Sequence, residues 1–422
     1  MPKIGFIAIS GVRCNDEELL ALGLNLPGFV ERSQVIASLP SLGLLTLAGM
    51  TRDFNEGQAA QNVYEMSYVE VPELKDFDDS LHQFDLVAIS SFSAKIKDAY
   101  TLAQRFRARE TFVIMGGLHV STQSPEALEF ADSVILGEAE IHWHQFLADF
   151  VANQTKPVYD CRGTSFDLAN ATMPAFELLD ISRYNRLTVQ TQRGCPWKCG
   201  FCASTILLNP LFRNKPVEKV VAEIKRIKEI WPKPFIEFAD DNTFVDKEYG
   251  KELMRALIPL EIKWFTETDI SVADDDELLA LMKRSGCAQI LIGLESPRKE
   301  ILFAVNNWKQ SRYDTYIENI QRIQSYGITV NGCFILGLEH TDHNYFEQVF
   351  QFIREANLFE VQITVMTAFP GTPLYDSLLK QNRLIEPKAW ERCTLFDINF
   401  LPNNMTVKEL RDGMIDLGKR VY

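Results

Sequence analysis

At 422 residues the chain has room for two or three domains, each large enough to bury its own core. A formal net charge of −14 excludes a partner held through phosphate contacts, because nucleic-acid binding needs a basic surface, so no nucleic acid is expected. Of eight cysteines, three are clustered and the others (Cys14, Cys161, Cys287, Cys333, Cys393) stand alone, which is no disulfide framework and fits a reducing cytoplasm.

The N-terminus runs straight from Met1 into a β-type stretch, without the charged region, apolar helix and cleavage site of a signal peptide. The uncharged stretch Ser33 to Thr51 approaches membrane-spanning length, yet holds Pro40, Gly43, Gly49 and three serines. It reads as a loop leading into a buried helix from about Leu42, with a peripheral membrane contact left open. Residues 1–155 alternate short apolar strands (Lys3–Ser10, Val63–Val71, Asp85–Ser91, Thr111–Met115, Ser133–Leu136) with helices near Leu42–Thr51, Ala94–Arg109 and Glu140–Val151. This alternation predicts a parallel sheet covered on both faces, a doubly wound α/β domain. Residues 156–184, with Pro157, Gly163 and Pro174 and mixed polarity, predict a surface linker.

A second βα series occupies residues 185–382. Its strands are Leu187–Gln192, Phe235–Ala239, Trp264–Thr268, Gln289–Gly293, Thr329–Leu336 and Glu360–Thr367. Val217, Val220, Val221, Ile224 and Ile227 fall on one face of its first helix, behind Pro216 at a first-turn position. Asp274 to Asp276 open the helix that runs through Met282, and Gly286 follows as its C′ residue. Six such units predict a partial (β/α)6 barrel, with the site at the C-terminal ends of its strands. Residues 383–422 read as a C-terminal extension whose last helix, from Val407, has no C-cap, the pattern expected of a chain truncated relative to longer relatives.

Three cysteines lie in one short run, Arg193-Gly194-Cys195-Pro196-Trp197-Lys198-Cys199-Gly200-Phe201-Cys202, directly after the first strand of this series. The spacing Cys-x3-Cys-x2-Cys gathers three thiolates on one loop and supplies no local fourth ligand. A 4Fe-4S cluster on three thiolates leaves one iron free for something other than protein, whereas a zinc knuckle would want a fourth ligand nearby. Arg193 and Lys198 beside the thiols are expected to favour their anionic form. Two adjacent carboxylates, Asp240 and Asp241, end the second strand, Glu295 ends the fourth, and Gly337 follows the fifth. Each also has a plain turn or capping reading. The six histidines form no convincing metal site or triad, and Satisfied structural roles are the default for them.

This run resembles that of the radical S-adenosylmethionine (SAM) superfamily, in which the open iron is chelated by the amino and carboxylate groups of SAM. The resemblance implies a cluster on Cys195, Cys199 and Cys202, Phe201 covering the cluster or the adenine edge, and Asp240 or Asp241 accepting from the methionine ammonium. It also implies Glu295 on the ribose hydroxyls, Gly337 in the strand along the adenine, and the Thr367 to Pro373 turn reading the adenine edge. In the first domain, the stretches Leu39–Leu44, Ile89–Ser93, Gly116–Val120 and Leu136–Glu140 resemble successive signatures of the cobalamin-dependent class. They imply a corrin site at Ser91, Ser93, Gly116, Gly117, Gly137 and Glu138, where small residues allow close approach. The Asp-x-His-x-x-Gly loop that supplies an axial histidine in other cobalamin proteins is missing, since no histidine here has an aspartate two positions before it.

Over nearly the whole chain the sequence resembles the hopanoid-methylase-like subgroup and the anaerobic magnesium-porphyrin cyclases, and the stretch Trp390 to Asp397 favours the former. The resemblance implies a 5′-deoxyadenosyl radical that takes hydrogen from an unactivated carbon, and a methyl group carried to that carbon on cobalamin. A lipid or tetrapyrrole substrate and an electron donor such as flavodoxin or ferredoxin go with it. The alternatives are a radical SAM ring closure or rearrangement with a scaffolding first domain, and a non-catalytic iron–sulfur or zinc protein.

Overall fold

The computed structural model describes residues 2–12, 14–22, 39–57, 64–197, 199–203, 212–305 and 307–422. Lys198, Val63 and residues 33–38 of the uncharged stretch lie outside the described residues. Six strands, β1 (Lys3–Ile9), β2 (Glu65–Val71), β3 (Leu86–Ser91), β4 (Phe112–Gly116), β5 (Ser133–Leu136) and β6 (Val158–Asp160), form one parallel sheet in the order β2-β1-β3-β4-β5-β6. The strand order reverses beside β1, and in open α/β sheets ligands settle outside the carboxyl ends at such a point. Apolar runs such as Ile4 to Ile9 are buried along their length because helices cover both faces.

The stretch 156–184, expected as a surface linker, instead contributes β6, which extends the first sheet beyond β5. Only Tyr159 of this three-residue strand is buried, which explains why no apolar run announces it. The chain then crosses to a second parallel sheet, β7 (Leu187–Val189), β10 (Phe235–Phe238), β11 (Lys263–Thr268), β12 (Cys287–Glu295), β13 (Thr329–Leu336) and β14 (Glu360–Val365), laid down in sequential order. Two short strands between them, β8 (Gln192–Arg193) and β9 (Arg213–Asn214), pair antiparallel.

A helix follows each barrel strand and buries the stripe that the periodicity predicts. In Val217–Ile230 the inward residues are Val220, Ile224 and Ile227, with Pro216 at the N-cap rather than one residue later. The helix Asp276–Ser285 is capped by Asp275 and ends at Gly286, whose φ of +104° and close approach to the Ile262 carbonyl admit only glycine. Among the described residues no helix is long and apolar enough to cross a membrane.

Residues 383–422 fold back over both sheets. Trp390 and Cys393 are buried in the core of the first domain, and Trp390 Nε1 donates to Glu126 at 3.0 Å. The final helix, Val407–Val421, opens with a Thr406/Glu409 capping box and packs Leu410, Met414 and Leu417 into the barrel core. Arg411 pairs with Asp16, and Asp397 accepts from the Asn15 backbone at 2.9 Å, so the extension also braces the loop after β1. Trp390→Ala should therefore cost about 3 kcal/mol, as large-to-small core changes do. Urea denaturation read by circular dichroism is the check, and a loss near zero would contradict this packing role.

Candidate functional site

The site begins where the first barrel strand stops. Asp240, just beyond β10, accepts from the Thr191 and Gln192 backbone amides at 2.8 and 3.1 Å and from the Thr191 and Thr243 hydroxyls at 2.5 and 3.2 Å. Those amides are thereby taken from the sheet ladder, which is why β7 ends at Val189 instead of continuing to Gln192. Burial outweighs the four donors and holds the Asp240 carboxyl up at about 6. The expectation that Asp240 faces a ligand is thus corrected: it is 5% exposed, its oxygens are occupied, and it shapes the approach to the cysteine loop. Its neighbour Asp241 is half-buried and lies within electrostatic range of Cys195 and Glu267.

Cys195, Cys199 and Cys202 are half-buried thiols outside any disulfide on this one loop, where the Cys202 amide donates to the Cys199 carbonyl at 3.1 Å. Burial first, then Asp241 and the other two sulfurs, pushes the Cys195 thiol up to about 11. The expected help from Arg193 is absent. Its guanidinium turns away to Glu140 at 2.7 Å, Gln190 at 2.9 Å and Glu138 at 3.0 Å. Among the described residues no three His, Cys, Asp or Glu side chains already converge in ligand geometry. The donor set itself, three soft thiols crowded on one loop, fits an iron–sulfur cluster.

Aromatic residues and the last barrel turn hold this loop in place. Trp197 stacks on Trp308 with ring centroids 4.7 Å apart, and its Nε1 donates to Asp269 at 3.3 Å. Phe201 packs against the barrel core. The Gly200 carbonyl accepts from Leu374, which ties in the Thr367 to Pro373 turn. Glu295 stands at a bulge at the end of β12 with a φ of +64°, and Lys309 anchors it by donating to its carboxylate at 2.5 Å and to the Gly293 carbonyl at 2.6 Å. Lys309 also lies within electrostatic range of Cys199. Sequence reading missed Lys309, and nothing in its spacing from Glu295 announces it. Gly337 has a φ of +77°, and a Cβ there would strike Phe400 and Leu410, so the C-terminal extension fills the side expected to lie along an adenine.

In the first domain a cavity of about 260 Å³ opens at the carboxyl ends of β3, β4 and β5, beside the helix Leu42–Glu56. Gly43, Gly116, Gly117 and Gly137 line it, as expected for a site that admits a flat group closely, and a Cβ on Gly43 would meet nothing within 4 Å. Ser90 lines the cavity, whereas Ser91 and Ser93 do not. Ser93 is instead buried against His119, Oγ to Nδ1 at 3.1 Å, and burial pushes that histidine down to about 4. Glu138 also lines the cavity, though its carboxylate binds Arg193 and, at 2.6 Å, Arg213. Burial opposes its ionisation, but Arg213, the Phe166 amide and Arg193 outweigh it and hold Glu138 below the usual carboxylate range. Gln190 and Arg193 close the far wall, so the cavity and the cysteine loop share one stretch of chain.

The Radical SAM superfamily profile matches residues 189–353. The chain is 26% identical over 346 residues to the bacteriochlorophyllide d C-12(1)-methyltransferase of Chlorobaculum tepidum, covering 80% of this chain and 75% of that protein. It is also 26% identical to the hopanoid C-2 methylase of Rhodopseudomonas palustris, over 90% of this chain and 71% of that one. In fold it resembles the radical SAM methyltransferase TsrM of Kitasatospora setae, with a TM-score of 0.68 at 11% identity over 90% of this chain and 76% of that chain. OxsB, a cobalamin-dependent SAM radical enzyme solved with aqua-cobalamin and SAM, gives a TM-score of 0.68 at 14% identity, over 95% of this chain and 65% of that chain.

The Asp240 geometry makes a prediction of its own. Asp240→Asn puts a donor among four donors and should lower stability by about 2 kcal/mol or more, with release of the cysteine loop. Denaturant titration together with faster alkylation of Cys195, Cys199 and Cys202 is the check; an unchanged midpoint and unchanged labelling would contradict it.

Proposed function

We infer that this radical SAM enzyme is a cobalamin-dependent methyltransferase acting on an unactivated carbon of a small organic substrate. The observation that carries the inference is the adjacency of two sites: a three-thiol loop without a fourth ligand, and a glycine-lined cavity whose wall includes Arg193, two residues before Cys195. When bound, the cluster, SAM and cobalamin supply radical hydrogen abstraction and a transferable methyl group. The methyltransferase names of the relatives support this reading, and no observation favours ring closure or rearrangement over it.

The protein's own part is to bind, orient and exclude water. Cys195, Cys199 and Cys202 would hold the iron, and Trp197, Trp308 and Phe201 keep the loop covered. Asp241, the more accessible of the two carboxylates, accepts hydrogen bonds from the SAM ammonium. Lys309 fixes one Glu295 oxygen, and the other, which has no partner among the described residues, accepts from the ribose hydroxyls. Gly43, Gly116, Gly117 and Gly137 would admit the cobalamin tail, and among the described residues no histidine lines that cavity. A single-electron protein donor of the flavodoxin or ferredoxin kind would supply the cluster's electron, and a lipid or tetrapyrrole of the relatives' classes would be the substrate.

Three outcomes check the reading. Alanine at Cys195, Cys199 and Cys202 together should abolish 5′-deoxyadenosine release after anaerobic iron–sulfide reconstitution; release at the wild-type rate would sink the cluster assignment. Lys309→Met leaves Glu295 without its cation and should weaken SAM binding about tenfold while costing about 3 kcal/mol of stability, as broken buried pairs do. Calorimetric titration and denaturation measure both, and unchanged SAM affinity would remove Lys309 from the site. Cob(II)alamin bound by the protein should show no nitrogen superhyperfine splitting in electron paramagnetic resonance, since no imidazole is at hand; observed splitting would contradict this.

A further inference from the structure

The concave face of the second sheet carries polar groups that neither the cluster nor the SAM assignments use. Along β12 and β13 the alternate residues Ile290, Ile292, Val330 and Phe334 are buried against the helices, so Gln289, Leu291, Asn331 and Cys333 point into the lumen. By the same alternation Thr188 of β7, Glu237 of β10, Glu267 of β11 and Gln362 of β14 face inward. A lumen built only for hydrocarbon would carry none of these.

Four of them end in oxygens without a hydrogen-bond partner: Asn331 Oδ1, Gln289 Oε1, Thr188 Oγ1 and Gln362 Oε1. Asn331 is 1% exposed, Gln289 3% and Thr188 5%, and a buried orphan of this kind costs about 1–3 kcal/mol unless something bound repays it. Gln289 Nε2 donates to Glu360 at 2.7 Å, which fixes its amide with the oxygen turned the other way. The carboxylates of the lumen divide by partner. Glu237 pairs with Arg186 and Glu295 with Lys309, but no side-chain partner for Glu267 occurs among the described residues. Glu267 stands accessible in the lumen, on the strand next to β12, with Glu237, Asp241 and Glu295 around it. Desolvation among the lumen walls and those three carboxylates push its carboxyl up to about 8, and no cation pairs with it among the described residues.

We propose that the lumen beneath the cysteine loop binds a protonated amine of the substrate, with its ammonium on Glu267 and its other N–H or O–H donors on Asn331 and Gln289. Three of the unmet groups are amide oxygens, which only accept, and Glu267 has no cation among the described residues, so the ligand that satisfies them brings donors and a positive charge. The assignment rests on the radical SAM reading of the mouth and adds the substrate class to it: an amine-bearing compound instead of a bare hydrocarbon.

The test uses cluster-reconstituted protein saturated with SAM and three probes of one chain length, hexylamine, hexanol and hexanoate, in calorimetric titration. Hexylamine should bind at least tenfold more tightly than hexanol, and hexanoate more weakly than either. Glu267→Gln should erase the preference for the amine, and Asn331→Leu should weaken amine and alcohol alike. Because neither side chain has a partner to lose among the described residues, thermal unfolding of both variants should stay level or rise. Equal binding of amine and alcohol, an undiminished preference in Glu267→Gln, or a loss of SAM affinity in that variant with amine binding intact would each overturn the proposal. So would a clear drop in the unfolding temperature of Asn331→Leu, which would make these groups structural. Release of 5′-deoxyadenosine by the same preparations, measured without probe, reports on the radical SAM reading separately.

Discussion

The Arg193 guanidinium is the constraint on which the rest depends. It leaves the chain two residues before Cys195 and is bound to Glu138 and Glu140, which follow the fifth strand of the other sheet. Arg213, from the strand paired with that of Arg193, grips Glu138 as well. Two cations and two carboxylates, all largely buried, thus fix the approach to the cysteine loop against the end of the glycine-lined cavity. An ion-pair network at such a junction gains specificity of position more than net stability, because desolvation offsets much of the attraction. Position is what two cofactors that must react with one substrate require.

A second fixed point lies on the barrel side. Asp240 removes two amides from the sheet and so ends the first strand early, which frees the chain to form the short ribbon β8–β9 that carries Arg193 and Arg213. Lys309 and the Trp197–Trp308 stack close the loop from the opposite side. The C-terminal extension then locks the two halves together, through Trp390 on the first domain and Leu410 and Phe400 on the second.

Both sheets were legible in the sequence because parallel strands buried on two faces read as continuous apolar runs, as in Ile4–Ile9 and Ile290–Ile292. The cysteine loop was legible from its spacing alone. The sixth strand of the first sheet was not, since Val158–Asp160 buries one side chain and looks like linker. The roles of Asp240 and Arg193 were misread for a related reason: adjacency in sequence to a ligand loop does not say which way a side chain turns. Asp240 found two amides already at the strand end, and Arg193 found stronger partners 53 and 55 residues away than the thiols next to it. Lys309 and Trp390 act through contacts that no local pattern encodes, the latter across 264 residues to Glu126. Ser93 belonged to a motif, but its hydroxyl is spent on His119.

The central claim is that one chain joins radical chemistry to methyl transfer. The most direct measurement is the fate of SAM in reduced, cluster-loaded protein incubated with and without cobalamin. The account predicts 5′-deoxyadenosine in both samples and S-adenosylhomocysteine, the mark of a methyl group leaving SAM, only where cobalamin is bound. 5′-Deoxyadenosine alone, with no S-adenosylhomocysteine in the presence of bound cobalamin, would contradict it.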